Sequence, residues 1–185
     1  MRLFVGIPLA AAVVDELTRV TQRLRAKDDG LRWSSPESWH ITLQFLGNTG
    51  RDQYECALAR LREIHLPAAP IQLGAMGFFD RAGIFFAGVK VSPELVSLER
   101  HVVAATTLCG FTPETRPYHP HITLARSKGK ASEPALRKLK KSLVVQFGFT
   151  PFIAAEFLLY ESKPTPTGSH YEVRDRIALA RNLGG

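Results

Sequence analysis

Apolar and polar positions alternate along the chain in a way that divides it into short strands and helical stripes. Leu3 to Ile7 is an apolar run closed by Pro8, and Val13, Leu17, Val20 and Leu24 follow at helical spacing. The same opening stretch, with Arg2 ahead of it and Ala10-Ala11-Ala12 inside it, has the look of a short secretory signal. The stripe continues past any cleavage point, so a strand and an amphipathic helix of the mature protein are expected instead. Further on, Tyr54, Leu58, Leu61 and Ile64 form one stripe, Leu95, Leu98 and Val102 a second, and Leu136, Leu139 and Leu143 a third. Ser92 as N-cap and Pro93 at the first helical position mark the start of the second of these. Strand-like runs cover Ile71 to Phe79 and Ile84 to Val91, joined by Asp80-Arg81-Ala82-Gly83. Two more cover Phe152 to Tyr160 and Tyr171 to Ala180. The segment between these last two, Ser162 to Ser169, holds Pro164, Pro166 and Gly168 and is expected to be irregular and exposed.

The pattern occurs twice. His40-Ile41-Thr42-Leu43 returns unchanged as His121-Ile122-Thr123-Leu124, an offset of 81, and Phe4-Val5-Gly6-Ile7 aligns with Phe86-Ala87-Gly88-Val89 at 82. Residues 1–185 therefore read as a single bilobal domain of two duplicated halves. The expected fold is α+β: two pseudo-symmetric lobes, each with an antiparallel sheet and helices outside, and an active-site cleft between them. No low-complexity linker separates the halves, so they are not expected to hinge freely.

In a strand, side chains alternate faces. His40, Thr42 and Gln44 share one face, and Ile41, Leu43 and Phe45 the other; His121 and Thr123 are likewise set against Ile122 and Leu124. A structural duplication would preserve the packed Ile and Leu. It gives no packing reason to preserve His and Thr on the opposite face. If an approximate two-fold axis relates the halves, the His-Thr pairs look at each other across the cleft. In-line displacement at phosphorus needs a base on the attacking oxygen and an acid on the leaving oxygen, and imidazole suits both near neutral pH. The threonine hydroxyls can donate to the non-bridging oxygens, and no metal is needed.

Charge and cysteine content add to this. The formal net charge is +7 and the pI about 9.7, which favours an anionic partner. Cys56 and Cys109 are too few for a disulfide scaffold and lack the spacing of a thiolate metal site, which points to a reducing, cytoplasmic compartment. No apolar run is long enough to span a bilayer, so no membrane association is expected.

The two His-x-Thr motifs resemble the signatures of the 2H phosphoesterase superfamily. Around them, Arg2-Leu3-Phe4-Val5, Arg32-Trp33 through Pro36, His40 through Gly47, Arg116-Pro117-Tyr118-His119-Pro120-His121 through Arg126, Phe157 through Ser162 and the strand from Tyr171 resemble more closely the RNA 2′,3′-cyclic phosphodiesterases, the 2′-5′ RNA ligase-like proteins. That resemblance implies a bilobal α+β fold with an antiparallel sheet in each lobe. It implies hydrolysis of an RNA 2′,3′-cyclic phosphate end to a 2′-phosphomonoester, with His40 as proton donor and His121 as proton acceptor. The symmetry of the motifs would not by itself assign those roles. Joining of RNA ends through a 2′-5′ linkage is a further activity the resemblance leaves open.

Other residues divide between functional and plain readings. Arg126 is favoured as a phosphate ligand by the resemblance, yet strand parity points it away from His121, so a bend or bulge is required. Phe45 and Tyr118 could stack on a terminal base, although Phe45 shares the parity of core residues Ile41 and Leu43. His119 is expected to support the site or contact substrate. His65 and His101 are expected on helix surfaces, and His170 at the start of the last strand. Lys128, Lys130, Arg137, Lys138, Lys140 and Lys141 form the densest basic cluster, either a solvated face or a phosphate track for RNA. Three functions compete: a metal-independent cyclic phosphodiesterase without cofactor, acting on RNA ends or small cyclic nucleotides and needing no protein partner; a metal-dependent hydrolase with His40, His119 and His121 as ligands; and a non-catalytic RNA-binding module.

Overall fold

A computed structural model describes residues 1–26, 29–127, 129, 133–142, 147–166 and 168–180. The opening segment is strand β1 (Arg2–Pro8), with Leu3, Val5 and Ile7 buried, followed by helix α1 (Ala11–Leu24), which buries Val13, Leu17 and Val20. Removing each such side chain from water contributes about 1.5–3 kcal/mol. The chain continues through β2 (Leu31–Trp33), β3 (His40–Asn48) and α2 (Arg51–Arg62) to β4 (Ala69–Ile71), β5 (Leu73–Phe79) and β6 (Ile84–Val89). Then come α3 (Pro93–Thr107), β7 (His121–Ser127), α4 (Glu133–Ser142), β8 (Phe152–Ala154), β9 (Glu156–Thr165) and β10 (Gly168–Ala178). Two four-stranded antiparallel sheets form the body, in the orders β10-β9-β1-β3 and β2-β7-β6-β5. One continuous hydrophobic core draws on both.

The fold class is the α+β class expected, but the sheets do not follow the two halves of the chain. β9, from the second half, lies beside β1 of the first, and β2 of the first half lies beside β7 of the second. Helix α3 follows β6 yet packs on β3 of the other sheet. Its N-terminus is capped as expected, the Leu95 amide donating to Ser92 Oγ at 3.2 Å. The runs expected as single strands over 71–79 and 152–160 are each two. They break at Gln72 and Ala155, because β4 and β8 pair with each other as a small separate sheet. The Ser162–Ser169 segment is not irregular as expected: β9 reaches Thr165 and β10 restarts at Gly168, with Pro164 opposite Ser169. Past Glu161, β9 pairs with β10 alone, and an edge accommodates a proline that donates no amide. Among the described residues no helix is long and apolar enough to cross a membrane.

The cysteines also differ from expectation. Cys56 in α2 and Cys109 just beyond α3 are joined in a disulfide across a sequence separation of 53. The two helices pack together, so the pairing is a product of tertiary contact that cysteine counting could not reveal. It removes the cysteine argument for a reducing compartment. Replacing both cysteines by alanine is expected to destabilise the fold by about 2–4 kcal/mol through the freed loop. Urea unfolding would measure this, and an unchanged midpoint would show the bridge to be energetically idle.

Lys128, Lys130, Ser132 and Leu143 of the expected basic helix lie outside the described residues. Within α4, Leu139 is buried, and Lys140 is held to β5 and the turn after it. Its Nζ lies 2.6 Å from Asp80 Oδ1 and 5.3 Å from the centre of the Phe78 ring. That cation therefore also fastens the helix to its sheet.

Candidate active site

His40 opens β3 and His121 opens β7, and the two strands run beside each other. The Tyr118 hydroxyl spans the junction by donating to the Thr42 carbonyl at 3.2 Å. The two imidazoles are anchored alike. His40 Nδ1 donates to the Ser38 carbonyl at 2.8 Å and His121 Nδ1 to the His119 carbonyl at 2.7 Å. A carbonyl only accepts, so Nδ1 carries the proton and Nε2 the lone pair in each neutral ring. His40 Nε2 lies 3.1 Å from Thr42 Oγ1, which donates to it while the ring is neutral. Each ring also rests among aromatic side chains. Phe4 lies 4.5 Å from His40, and Tyr171 meets its edge at 5.2 Å; Phe79 and Phe86 lie 4.9 and 5.4 Å from His121.

A pair of β-bulges decides what else faces the cleft. In β3, Val5 pairs with Gln44 and Gly6 with Thr42, leaving Leu43 without an opposite residue. In β7, Phe85 pairs with Ala125 and Phe86 with Thr123, leaving Leu124 without one. A residue inserted in this way reverses the faces of everything beyond it. Gln44, expected on the histidine face, is instead 5% exposed and accepts from the Thr106 hydroxyl at 2.6 Å. Phe45, given core parity by strict alternation, is 68% exposed and sits opposite Phe4 on the histidine face. The same bulge in β7 turns Arg126 to the side of His121, which strict parity denied it. Phe45 and Arg126 occupy equivalent places in the two motifs.

The β1–β6 alignment needs correction. The registers pair Gly6 with Thr42 and Phe86 with Thr123, so Gly6 and Phe86 correspond, an offset of 80 and not 82. A shift of two residues keeps every side chain on its face, which is why the pattern could not detect it. The glycine signal was also missed. A Cβ on Gly6 would stand 3.3 Å from His40 Cδ2 and 3.0 Å from the Ile41 carbonyl, and one on Gly77 would stand 2.7 Å from the Phe86 ring. Gly6 makes room for the His40 ring itself, and Gly77 for the Phe86 ring beside His121.

Tyr118 is half-buried, packed on the core, and its hydroxyl is engaged with β3. Burial raises the pKa of that hydroxyl well above its ordinary value. His119 is exposed beside Phe79 and Phe86, with its backbone carbonyl fixing His121. His65, His101 and His170 are exposed. The Thr123 hydroxyl has no hydrogen-bond partner among the described residues. Among those residues no three His, Cys, Asp or Glu side chains gather in a group able to hold a metal.

Burial lowers the His40 pKa from 6.5 to about 4, assisted by repulsion from His121 and Arg126 and opposed by the bond to the Ser38 carbonyl. His121 is lowered in the same direction, first by burial, then by the charges of His119 and Arg126. Both rings are therefore neutral in the unliganded protein at pH 7. The unfolded chain binds more protons than the folded one between the two pKa values, so stability is present above pH 6.5 and is lost as pH falls toward 4. Melting temperatures measured across that window should drop in the wild type and drop less in His40→Gln. An equal drop in both would place the acid sensitivity elsewhere.

Comparison with known proteins adds an independent line. A family model described as the 2′-5′ RNA ligase superfamily matches residues 10–152. The RNA 2′,3′-cyclic phosphodiesterase of Aeropyrum pernix is 32% identical over 135 residues, 71% of this chain and 77% of that one. The protein of the same description from Thermotoga maritima is 28% identical, covering 94% and 92%. The crystal structure of E. coli LigT complexed with 3′-AMP superposes with a TM-score of 0.79 at 24% identity, over 96% of this chain and 97% of that one, and so shares its fold.

Proposed function

Because the chain belongs to the 2′-5′ RNA ligase superfamily, within the 2H phosphoesterases, we propose that it hydrolyses RNA 2′,3′-cyclic phosphate ends to 2′-phosphomonoesters with His40 and His121 as acid and base. The observation that carries this reading is the matched pair of imidazoles, each held by an Nδ1–H to a carbonyl two residues upstream with Nε2 left for chemistry. A binding module has no need of two identically oriented proton-transfer groups.

In the reaction, His121 Nε2 takes a proton from water as the water oxygen forms a bond to phosphorus. The bond from phosphorus to the 3′ oxygen breaks, and His40 Nε2–H delivers a proton to that oxygen. The product carries a 2′-phosphate and a free 3′-hydroxyl, and the two histidines exchange protons with solvent to reset. Thr42, Thr123 and Arg126 donate to the non-bridging oxygens, where negative charge is concentrated. The cyclic phosphate is an anion, so its arrival offsets the Arg126 charge and raises the His40 pKa toward the protonated state an acid needs. If a 5′-hydroxyl replaces water, the same transfers form a 2′-5′ linkage, the ligase direction.

RNA ends and small cyclic nucleotides are the partners on this reading, with Phe45 as the stacking surface for a terminal base, and the cytoplasm is the compartment that supplies them. The test is to offer an RNA ending in a 2′,3′-cyclic phosphate with chelator present and to ask which oxygen keeps the phosphate. A 2′-phosphate is the expected product. A 3′-phosphate, or activity abolished by the chelator, would refute the assignment.

A further inference from the structure

A cavity of about 270 Å³ opens beside the histidines, between β2 with the segment after it and the β9–β10 hairpin. Its lining includes Arg32, Ser34, Ser38, Arg126, Ser169 and Tyr171. It is continuous with the reaction site. The Ser38 carbonyl holds His40 Nδ1, the Tyr171 ring meets the edge of the His40 ring, and the Arg126 charge acts on both histidines.

Arg32 lies directly opposite Arg126 across the β2–β7 ladder. Residues so paired project from the same face of a sheet, and like charges in that position repel. No residue lining the cavity is acidic, and neither guanidinium has an ion pair among the described residues. Two cations are thus held side by side without a counter-charge, facing an opening bordered by serine hydroxyls. On the reading above, Arg126 serves the cyclic phosphate, and a monoanion leaves Arg32 unsatisfied.

We propose that the cavity is a second phosphate subsite, with Arg32 as its main ligand, that takes the phosphate on the 5′ side of the terminal nucleotide. The proposal rests on the reaction proposed above and gives it a substrate preference: cyclic ends that carry a 5′ phosphate, as every RNA chain does, over bare nucleoside cyclic phosphates. Arg126 bridges the two phosphates.

The test compares kcat/KM for a nucleoside 2′,3′-cyclic phosphate with that for the same compound bearing a 5′-phosphate. The wild type should favour the second by about tenfold or more, the worth of one charged hydrogen-bonding ligand. Arg32→Ala should bring the ratio to within about twofold, and Arg32→Lys should retain part of it, since a cation remains. A wild-type ratio near one, or a ratio unchanged in Arg32→Ala, would overturn the proposal. Calorimetric affinities for a nucleoside 2′,5′-bisphosphate and the 2′-monophosphate give the same ratio without turnover. The affinity preference with no hydrolysis of either substrate would sink the reaction and keep the subsite; hydrolysis without the preference would do the reverse.

Discussion

Turnover of a 2′,3′-cyclic phosphate is expected to fall about 10²–10⁴-fold in His40→Ala, and by as much in His121→Ala, because each change removes one proton-transfer group. The double variant should lose little more than either single one, since the two groups act in one step. The His40 ring packs on Phe4 and Tyr171, so the melting temperature must accompany the rates, with His40→Gln as the less disruptive companion. A leaving group that needs no proton separates the two roles. With sulfur in place of the bridging 3′ oxygen, the departing thiolate is stable unprotonated. His40→Ala should then recover most of its rate, while His121→Ala should not. Recovery in the His121 variant would exchange the roles, and wild-type rates in either alanine variant would remove that histidine from the chemistry.

Much of this architecture could be read from the chain, for a physical reason. The His-Ile-Thr-Leu motif alternates core and cleft residues, so its repetition revealed two equivalent strands, each with one packed face and one His-Thr face. Helix stripes such as Leu95, Leu98 and Val102 report burial at the helical period, and these three are indeed buried. What the sequence concealed is of another kind. The bulges at Leu43 and Leu124 break strict alternation without changing composition, so Gln44 and Phe45 were assigned to the wrong faces. Arg126 was recognised as needing such an irregularity, but nothing in the sequence located it. Exchange of strands between the sheets and the Cys56–Cys109 bridge arise from contacts between distant segments, to which periodicity is blind.

The bulge that recurs in β3 and β7 gives the two His-x-Thr strands different companions. Each places a His and a Thr on the cleft, and then turns one further side chain toward it. In β3 that side chain is Phe45, an exposed ring suited to a base; in β7 it is Arg126, a fork suited to a phosphate. On the proposed reaction the two His-Thr pairs are equivalent, and this asymmetry is what orients the substrate. A base bound on the β3 side and a phosphate drawn to the β7 side would then fix which oxygen of the cyclic phosphate faces His40.

Arg126→Ala is accordingly expected to lower kcat by about 10²–10³-fold, the effect of removing one preorganised donor from charge that develops at phosphorus. The same variant has a signature in the unliganded protein. The Arg126 charge is among the causes that depress both histidines, although burial is the larger one. Without it, both imidazoles should titrate at higher pH, with His40 still below 6.5 because its burial persists. Arg126→Lys keeps a charge but loses the planar fork, so it should hold the histidine titrations near wild type while restoring only part of the rate. Nuclear magnetic resonance of the imidazole protons follows the titrations, and steady-state kinetics follow the rate. An unimpaired Arg126→Ala enzyme would mean that the bulge in β7 aims its arginine at something other than the reacting phosphate. A lost rate without any movement of the histidine titrations would mean that the guanidinium acts on substrate from farther away than the structure places it.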